Sequence, residues 1–192
     1  MPQGARVKRY NAARAFYAER LCMVLRLPNQ SDEEFTKNFH AIDRERSTLI
    51  RDLGQGPNML LWNGPIHQMP EASGYWIGEG SEINAFLIAV KAEFRTADFW
   101  EIKRAWVDPK QRGKGLFSTL ISEVSKRGPL LSDREGMSDA AFAAWLKAKG
   151  FERRWFDVEH DAYVEESMIP NAERFGSFPD DARWQIVLEA TR

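Results

Sequence analysis

Residues 99–117, Phe-Trp-Glu-Ile-Lys-Arg-Ala-Trp-Val-Asp-Pro-Lys-Gln-Arg-Gly-Lys-Gly-Leu-Phe, decide how this chain is read. Phe99 to Val107 is rich in aromatic and apolar residues and stops at the turn pair Asp108-Pro109, which predicts a strand. Leu116, Leu120, Ile121 and Val124 then recur at one-face helical spacing, which predicts a helix after Gly115. The loop between them, Lys110 to Gly115, holds two glycines and three cations. A helix N-terminus carries unsatisfied backbone N–H groups and partial positive charge, so it attracts anions. Glycines let that backbone approach a phosphate closely, and Lys110, Arg112 and Lys114 add charge around it. The unit is built to hold a phosphorylated ligand.

The half-fit of Gly113-Lys-Gly115-Leu-Phe-Ser118 to a dinucleotide fingerprint lacks the third glycine and the early position in a doubly wound domain. No Walker loop occurs. Val107-Asp-Pro-Lys-Gln-Arg-Gly-Lys-Gly115 instead resembles the acetyl-CoA pyrophosphate loop, Gln/Arg-x-x-Gly-x-Gly/Ala, of the GNAT superfamily of N-acetyltransferases. Arg112 and Gly115 match its fixed positions, and Phe117 stands where a small residue is usual. Glu101, six residues before Val107, and Gly150-Phe151 extend the resemblance, which covers about residues 99–156. The stretch from Leu130 to Phe151 is similar in style to acetyltransferase-like proteins of bacteriophages.

That resemblance implies an α/β GNAT fold: a central, mostly antiparallel mixed sheet flanked by helices, with two N-terminal helices. It implies acetyl-CoA as cofactor and transfer of its acetyl group to a primary amine of a protein or small molecule, by direct attack. Arg112, Gly113, Lys114 and Gly115 would hold the pyrophosphate, with Gln111, Leu116, Phe117 and Ser118 beside them. Trp106 and Val107 would line the pantetheine, and a backbone N–H there could serve the oxyanion. Glu101 would be the general base, working through water. The family's usual acid is a Tyr, but Trp145 occupies that position and has no hydroxyl. Ser138 is taken as the substitute, with Ser132, Tyr163 and solvent as the other candidate donors. The family's habit is often a dimer, so a homodimer is an open expectation. The missing Tyr supports a second class of function, a catalytically degenerate GNAT-fold module acting through a protein partner.

Composition sets the outer bounds. At 192 residues, 43% apolar and 29% charged, the chain suits one globular domain over its whole length. A formal charge of −1 lacks the basic excess of a nucleic-acid binder. No apolar run approaches the ~18 residues of a membrane helix, and no apolar segment follows the N-terminal cations. A cytoplasmic protein with no membrane or nucleic-acid partner is expected. Cys22 is the only cysteine, and His40, His67 and His160 fit no metal spacing, so no metal is expected.

The remaining elements follow in order. Asn11 to Arg26 reads as a helix, and Ser31–Glu34 reads as a capping box opening a second one through Leu49, Ile50 and Leu53 to Gly54. Met59 to Trp62 is a short apolar run, Asn63 to Gly74 a turn-rich loop, and Tyr75 to Ile77 and Ala85 to Phe94 read as strands. Pro129 to Leu131 is a brief strand, Ser138 caps a helix carrying Phe142, Trp145 and Leu146, and Phe151 to Val158 and Trp184 to Ala190 close the sheet. The acidic connection from Glu159 to Arg183, with Glu165 and Glu166, would attract a cationic amine.

Overall fold

The computed structural model describes residues 39–56, 58–134, 139–169 and 183–191. Five strands come first, in a meander: β1 (Thr48–Asp52), β2 (Leu60–Ile66), β3 (Met69–Glu79), β4 (Glu82–Glu93) and β5 (Asp98–Val107). A 3-10 turn at Pro109–Gln111 leads into α1 (Leu116–Ser125), followed by β6 (Leu130–Leu131), α2 (Asp139–Leu146), β7 (Phe151–Asp157), β8 (Ala162–Val164) and β9 (Trp184–Ala190). Among the described residues the strands form one sheet, ordered β1-β2-β3-β4-β5-β6-β9-β7-β8. Every neighbouring pair is antiparallel except β5 and β6, so this is the mixed, mostly antiparallel α/β sheet expected.

One face of the sheet is covered by α1, which buries Leu116, Leu120, Ile121 and Val124 against Leu87, Ala89, Ile102, Leu130 and Ile186. Trp145 of α2 joins that core, buried. The opposite face of the meander carries Phe39, Ile42, Trp76, Phe86, Ile88 and Trp106. A third cluster, Phe99, Leu131, Phe156 and Val187, joins β5, β6, β7 and β9, with Phe94 and Tyr163 against it.

Three expectations are corrected. The helix predicted to run on to Gly54 does not: Thr48–Asp52 is a strand paired with β2. Leu49, Ile50 and Leu53 fit a helical spacing, but the backbone pairing offered by β2 overrides it, and Leu49 is exposed. The loop predicted over Asn63 to Gly74 is a hairpin, with β2 and β3 joined through His67 and Gln68. Its glycines are packing residues, not breakers: Gly64 pairs with Gly74, and a Cβ on Gly74 would lie 2.5 Å from Ile42 Cγ1. Pro65 sits where the ladder slips register, which spares it the N–H it lacks. Within the acidic connection, Ala162–Val164 pairs with β7 as a strand, and Glu166–Met168 forms a 3-10 turn. The predicted helix at 11–26, the capping box at 31–34 and Ser138 lie outside the described residues.

Candidate functional site

The loop after β5 is built from its own backbone. Asp108 caps the 3-10 turn by accepting from the Lys110 N–H at 2.7 Å, and the Gln111 N–H returns to the Asp108 carbonyl at 2.8 Å. Arg112 donates from Nε to the Val107 carbonyl at 3.2 Å, and Lys114 Nζ donates to Gln111 Oε1 at 2.7 Å. Gly113 and Gly115 have φ of 81° and 79°, the left-handed region that other residues rarely adopt. A Cβ on either would meet nothing within 4 Å, so the glycines answer to the backbone angle, and the space above them is open. Gly115 is the N-cap of α1 and provides no side chain to the first-turn N–H groups, and no acidic residue occupies that turn. Arg112, Lys114 and Ser118 are exposed, whereas Leu116 is buried and Phe117 is partly buried against the core. Phe117 thus faces inward, which reconciles its bulk with an open loop.

Below the loop the sheet forks. β5 pairs with β6 only at Trp100↔Leu130 and Glu101↔Leu131, after which Ser132 stays with β9 through its N–H to the Ile186 carbonyl. Ile102 to Val107 therefore continues toward the loop with no ladder partner on that side among the described residues. Trp106 and Val107 lie beyond the end of the β5–β6 ladder, facing opposite sides of the sheet: Trp106 stacks near Phe86, and Val107 packs with the α1 core.

At the fork lies a buried charge cluster. The β4–β5 register slips between Ala89↔Ile102 and Ile88↔Arg104, so Lys103 is an extra residue in β5. This bulge lets two consecutive side chains reach one carboxylate. Lys103 Nζ donates to Asp133 Oδ1 at 2.7 Å, and Arg104 NH1 donates to Asp133 Oδ2 at 3.0 Å. Glu101, 2% exposed, accepts from Lys103 Nζ at 3.2 Å, from the Arg134 N–H at 3.1 Å and from the Arg134 guanidinium through Nε, at 3.0 Å, and NH2. Burial pushes the Glu101 carboxyl above the ordinary carboxylate range, against the opposing pull of Lys103 and the Arg134 N–H. Glu101 is therefore a saturated acceptor within an ion network.

The other residues of interest separate. Ser132 is fully buried, donating to Gln185 Oε1 at 2.6 Å and accepting from the Ile186 N–H at 2.9 Å. Tyr163 donates to Glu189 Oε1 at 2.7 Å, and burial with that acceptor raises its pKa, so its proton is held more tightly than an ordinary phenol's. The acidic residues are likewise engaged. Asp157 holds Arg183 Nε at 3.0 Å and His160 Nδ1 at 2.8 Å, and Asp161 binds the Arg95 and Thr96 N–H groups. Although no metal spacing was legible, Asp157, Glu159 and His160 bring ligand-type atoms within 4.8 Å of one another. The Arg183 guanidinium shares that space, 2.9 Å from His160 Nδ1, and supplies the positive charge there.

The sequence already offered Lys103, two residues along the strand, as an ion-pair partner for Glu101, and the structure makes that pair; Asp133, Arg134 and Arg104 escaped the sequence reading. Their one local signal is a pair of cations inside an otherwise apolar strand, followed about 30 residues later by Asp133-Arg134 after the short strand Leu130-Leu131.

No family model matches the chain. Over 81 residues it is 37% identical to RNA-directed RNA polymerase L of Tupaia virus, which takes in 40% of this chain and 4% of the polymerase. Among solved structures it is similar to N-acetylglutamate synthase from Neisseria gonorrhoeae, complexed with coenzyme A and N-acetyl-glutamate. That likeness has a TM-score of 0.36 and 16% identity, and covers 64% of this chain and 26% of the synthase. The chain thus spans a small part of either relative, and a likeness of this size carries no functional argument. Neither is a bacteriophage protein, so that expectation gains no support.

Proposed function

We propose that the chain binds acetyl-CoA at residues 106–118 and transfers the acetyl group to a primary amine, as a GNAT-type N-acetyltransferase. The observation that carries this reading is the junction of β5 and α1. Two left-handed glycines and an uncapped helix N-terminus, flanked by Arg112 and Lys114, sit at the end of a strand whose edge is open. A diphosphate suits this cradle, because backbone N–H donors and two exposed cations match its charge and its many acceptors. Gln111 and Ser118 stand beside it, and an extended amide-bearing arm would run along the edge of β5 at Trp106 and Val107, where the β5–β6 ladder has ended. When bound, acetyl-CoA supplies an activated acyl carbon and a thiolate leaving group.

Glu101 is the proton acceptor in this reading. Burial raises its affinity for a proton, and Arg134 must withdraw from Oε2 for that oxygen to take one. Ser138 is the assigned proton donor. A homodimer and a cytoplasmic setting belong to the same reading; among the described residues no helix is long and apolar enough to cross a membrane. One observation favours a second reading, a catalytically degenerate module acting through a protein partner: Glu101 already accepts four hydrogen bonds.

Calorimetric titration of the full chain with acetyl-CoA and with CoA tests the proposal. Micromolar binding is expected, and Arg112→Glu with Lys114→Glu should weaken it by on the order of 100-fold, the equivalent of two charge-assisted contacts. Undiminished affinity in that variant would remove the loop from the assignment. Binding without consumption of acetyl-CoA across a panel of cationic amines would select the second reading. If turnover is found, Glu101→Gln should lower kcat by about 100-fold or more while leaving acetyl-CoA affinity intact.

A further inference from the structure

The fork between β5 and β6 raises a mechanical question. Two residue pairs are a short seam for half-sheets of five and four strands, so their mutual angle depends on contacts elsewhere. One such contact links elements that are not ladder neighbours. Asp161, in the turn between β7 and β8, accepts the Arg95 N–H at 2.6 Å and the Thr96 N–H at 2.9 Å, both in the hairpin turn between β4 and β5. The Thr96 hydroxyl donates back to the Asp161 carbonyl. Beneath this clasp, Phe94 and Phe99 of the first half pack edge-on against Phe156 of the second, with ring centroids 5.1 and 4.9 Å apart. Tyr163, two residues after Asp161, meets Phe99 and Phe156 from the same side. The contacts therefore close a ring: hairpin, β5, β6, β9, β7, turn and back to the hairpin. Asp161 adopts φ of 55°, a conformation that Asp tolerates better than most residues and that aims two successive acceptor bonds at the hairpin.

We infer that Asp161 is a positioning residue: its clasp on the β4–β5 hairpin holds the two half-sheets at a fixed angle and so sets the width of the opening between β5 and β6. The consequence for ligand binding rests on the acetyl-CoA reading above; the mechanical link does not. A clasp that only finished its own turn would need no partner in the other half-sheet. Here both carboxylate oxygens and the main-chain carbonyl are spent on the opposite half.

The test compares Asp161→Asn and the milder Thr96→Val with wild type and with Thr96→Ser, which retains the hydroxyl. Asn keeps the tolerance for left-handed φ but offers one carbonyl oxygen to two N–H groups. Amide hydrogen exchange should rise about tenfold at Arg95 and Thr96 in Asp161→Asn, and also at Trp100 and Ser132, whose N–H groups bond Pro129 and Ile186 at the fork. Acetyl-CoA affinity should fall in parallel, with Thr96→Ser matching wild type and Thr96→Val falling between. Exchange confined to Arg95 and Thr96, or an unchanged affinity beside a wild type that binds, overturns the inference. A wild type that takes no acetyl-CoA sinks the binding reading instead, and the exchange pattern at Trp100 and Ser132 then decides the clasp by itself.

Discussion

Glu101 and the Arg112–Gly115 loop lie on one continuous stretch, yet they use charge in opposite ways. Arg112 and Lys114 are exposed, and their hydrogen bonds include neutral acceptors, the Val107 carbonyl and the Gln111 side chain, with which a phosphate oxygen would compete. Glu101, Lys103, Arg104 and Asp133 are buried and pair through Lys103–Glu101, Lys103–Asp133 and Arg104–Asp133. A ligand site needs charges whose present partners are weak. A fork in a sheet needs charges whose partners are strong, because unpaired ions out of water cost far more than the pairing returns.

The sharpest way to break this comparison is Asp133→Ala. It takes from Lys103 and Arg104 the carboxylate that they share, and should destabilise the fold by about 3–5 kcal/mol in urea unfolding. Arg112→Ala should stay within about 0.5 kcal/mol of wild type. Equal effects would erase the distinction between the two ends.

An intermediate case sharpens it. Asp157 is buried, but its partners Arg183 and His160 are partly or fully exposed. Burial pushes its pKa up, yet the Arg183 guanidinium, the His160 N–H and ring, and the Glu159 N–H outweigh that and hold it at about 2. A depressed carboxylate stabilises above its unfolded value near ~3.9 and loses that contribution as pH falls through 2. Acid unfolding should therefore take away about 2 kcal/mol between roughly pH 4 and pH 2, and Asp157→Asn should flatten that slope. A smaller effect than either buried carboxylate gives belongs to the loop backbone. Gly115→Ala meets no atom and is opposed only by its φ, so it should cost about 1 kcal/mol of stability while weakening acetyl-CoA binding.

The strand, the glycine loop and the helix of residues 99–125 were legible because each is a local pattern: an apolar run, a turn pair and a one-face repeat. Strands β4, β7 and β9 and helix α2 were legible for the same reason. The hairpin over residues 60–79 was hidden by Gly64, Pro65, Pro70 and Gly74, which locally favour turns. They serve as strand residues because Ile42 packs over Gly74 and a register slip absorbs Pro65. Strand β1 was hidden by a helical spacing that only the pairing with β2 defeats.

What the sequence by itself determined is therefore the β5–loop–α1 unit, since left-handed glycines, a helix N-terminus and flanking cations are properties of neighbouring residues. An opening of the sheet at the end of the 99–107 strand was implied by the resemblance, but only the tertiary structure decided where the fork starts and the saturation of Glu101. It also decided the clasp of Asp161 on a hairpin some 65 residues away in the chain. Each of those depends on which distant backbone groups and ions meet, and that is set by strand order and a single bulge at Lys103, features with no short-range signal.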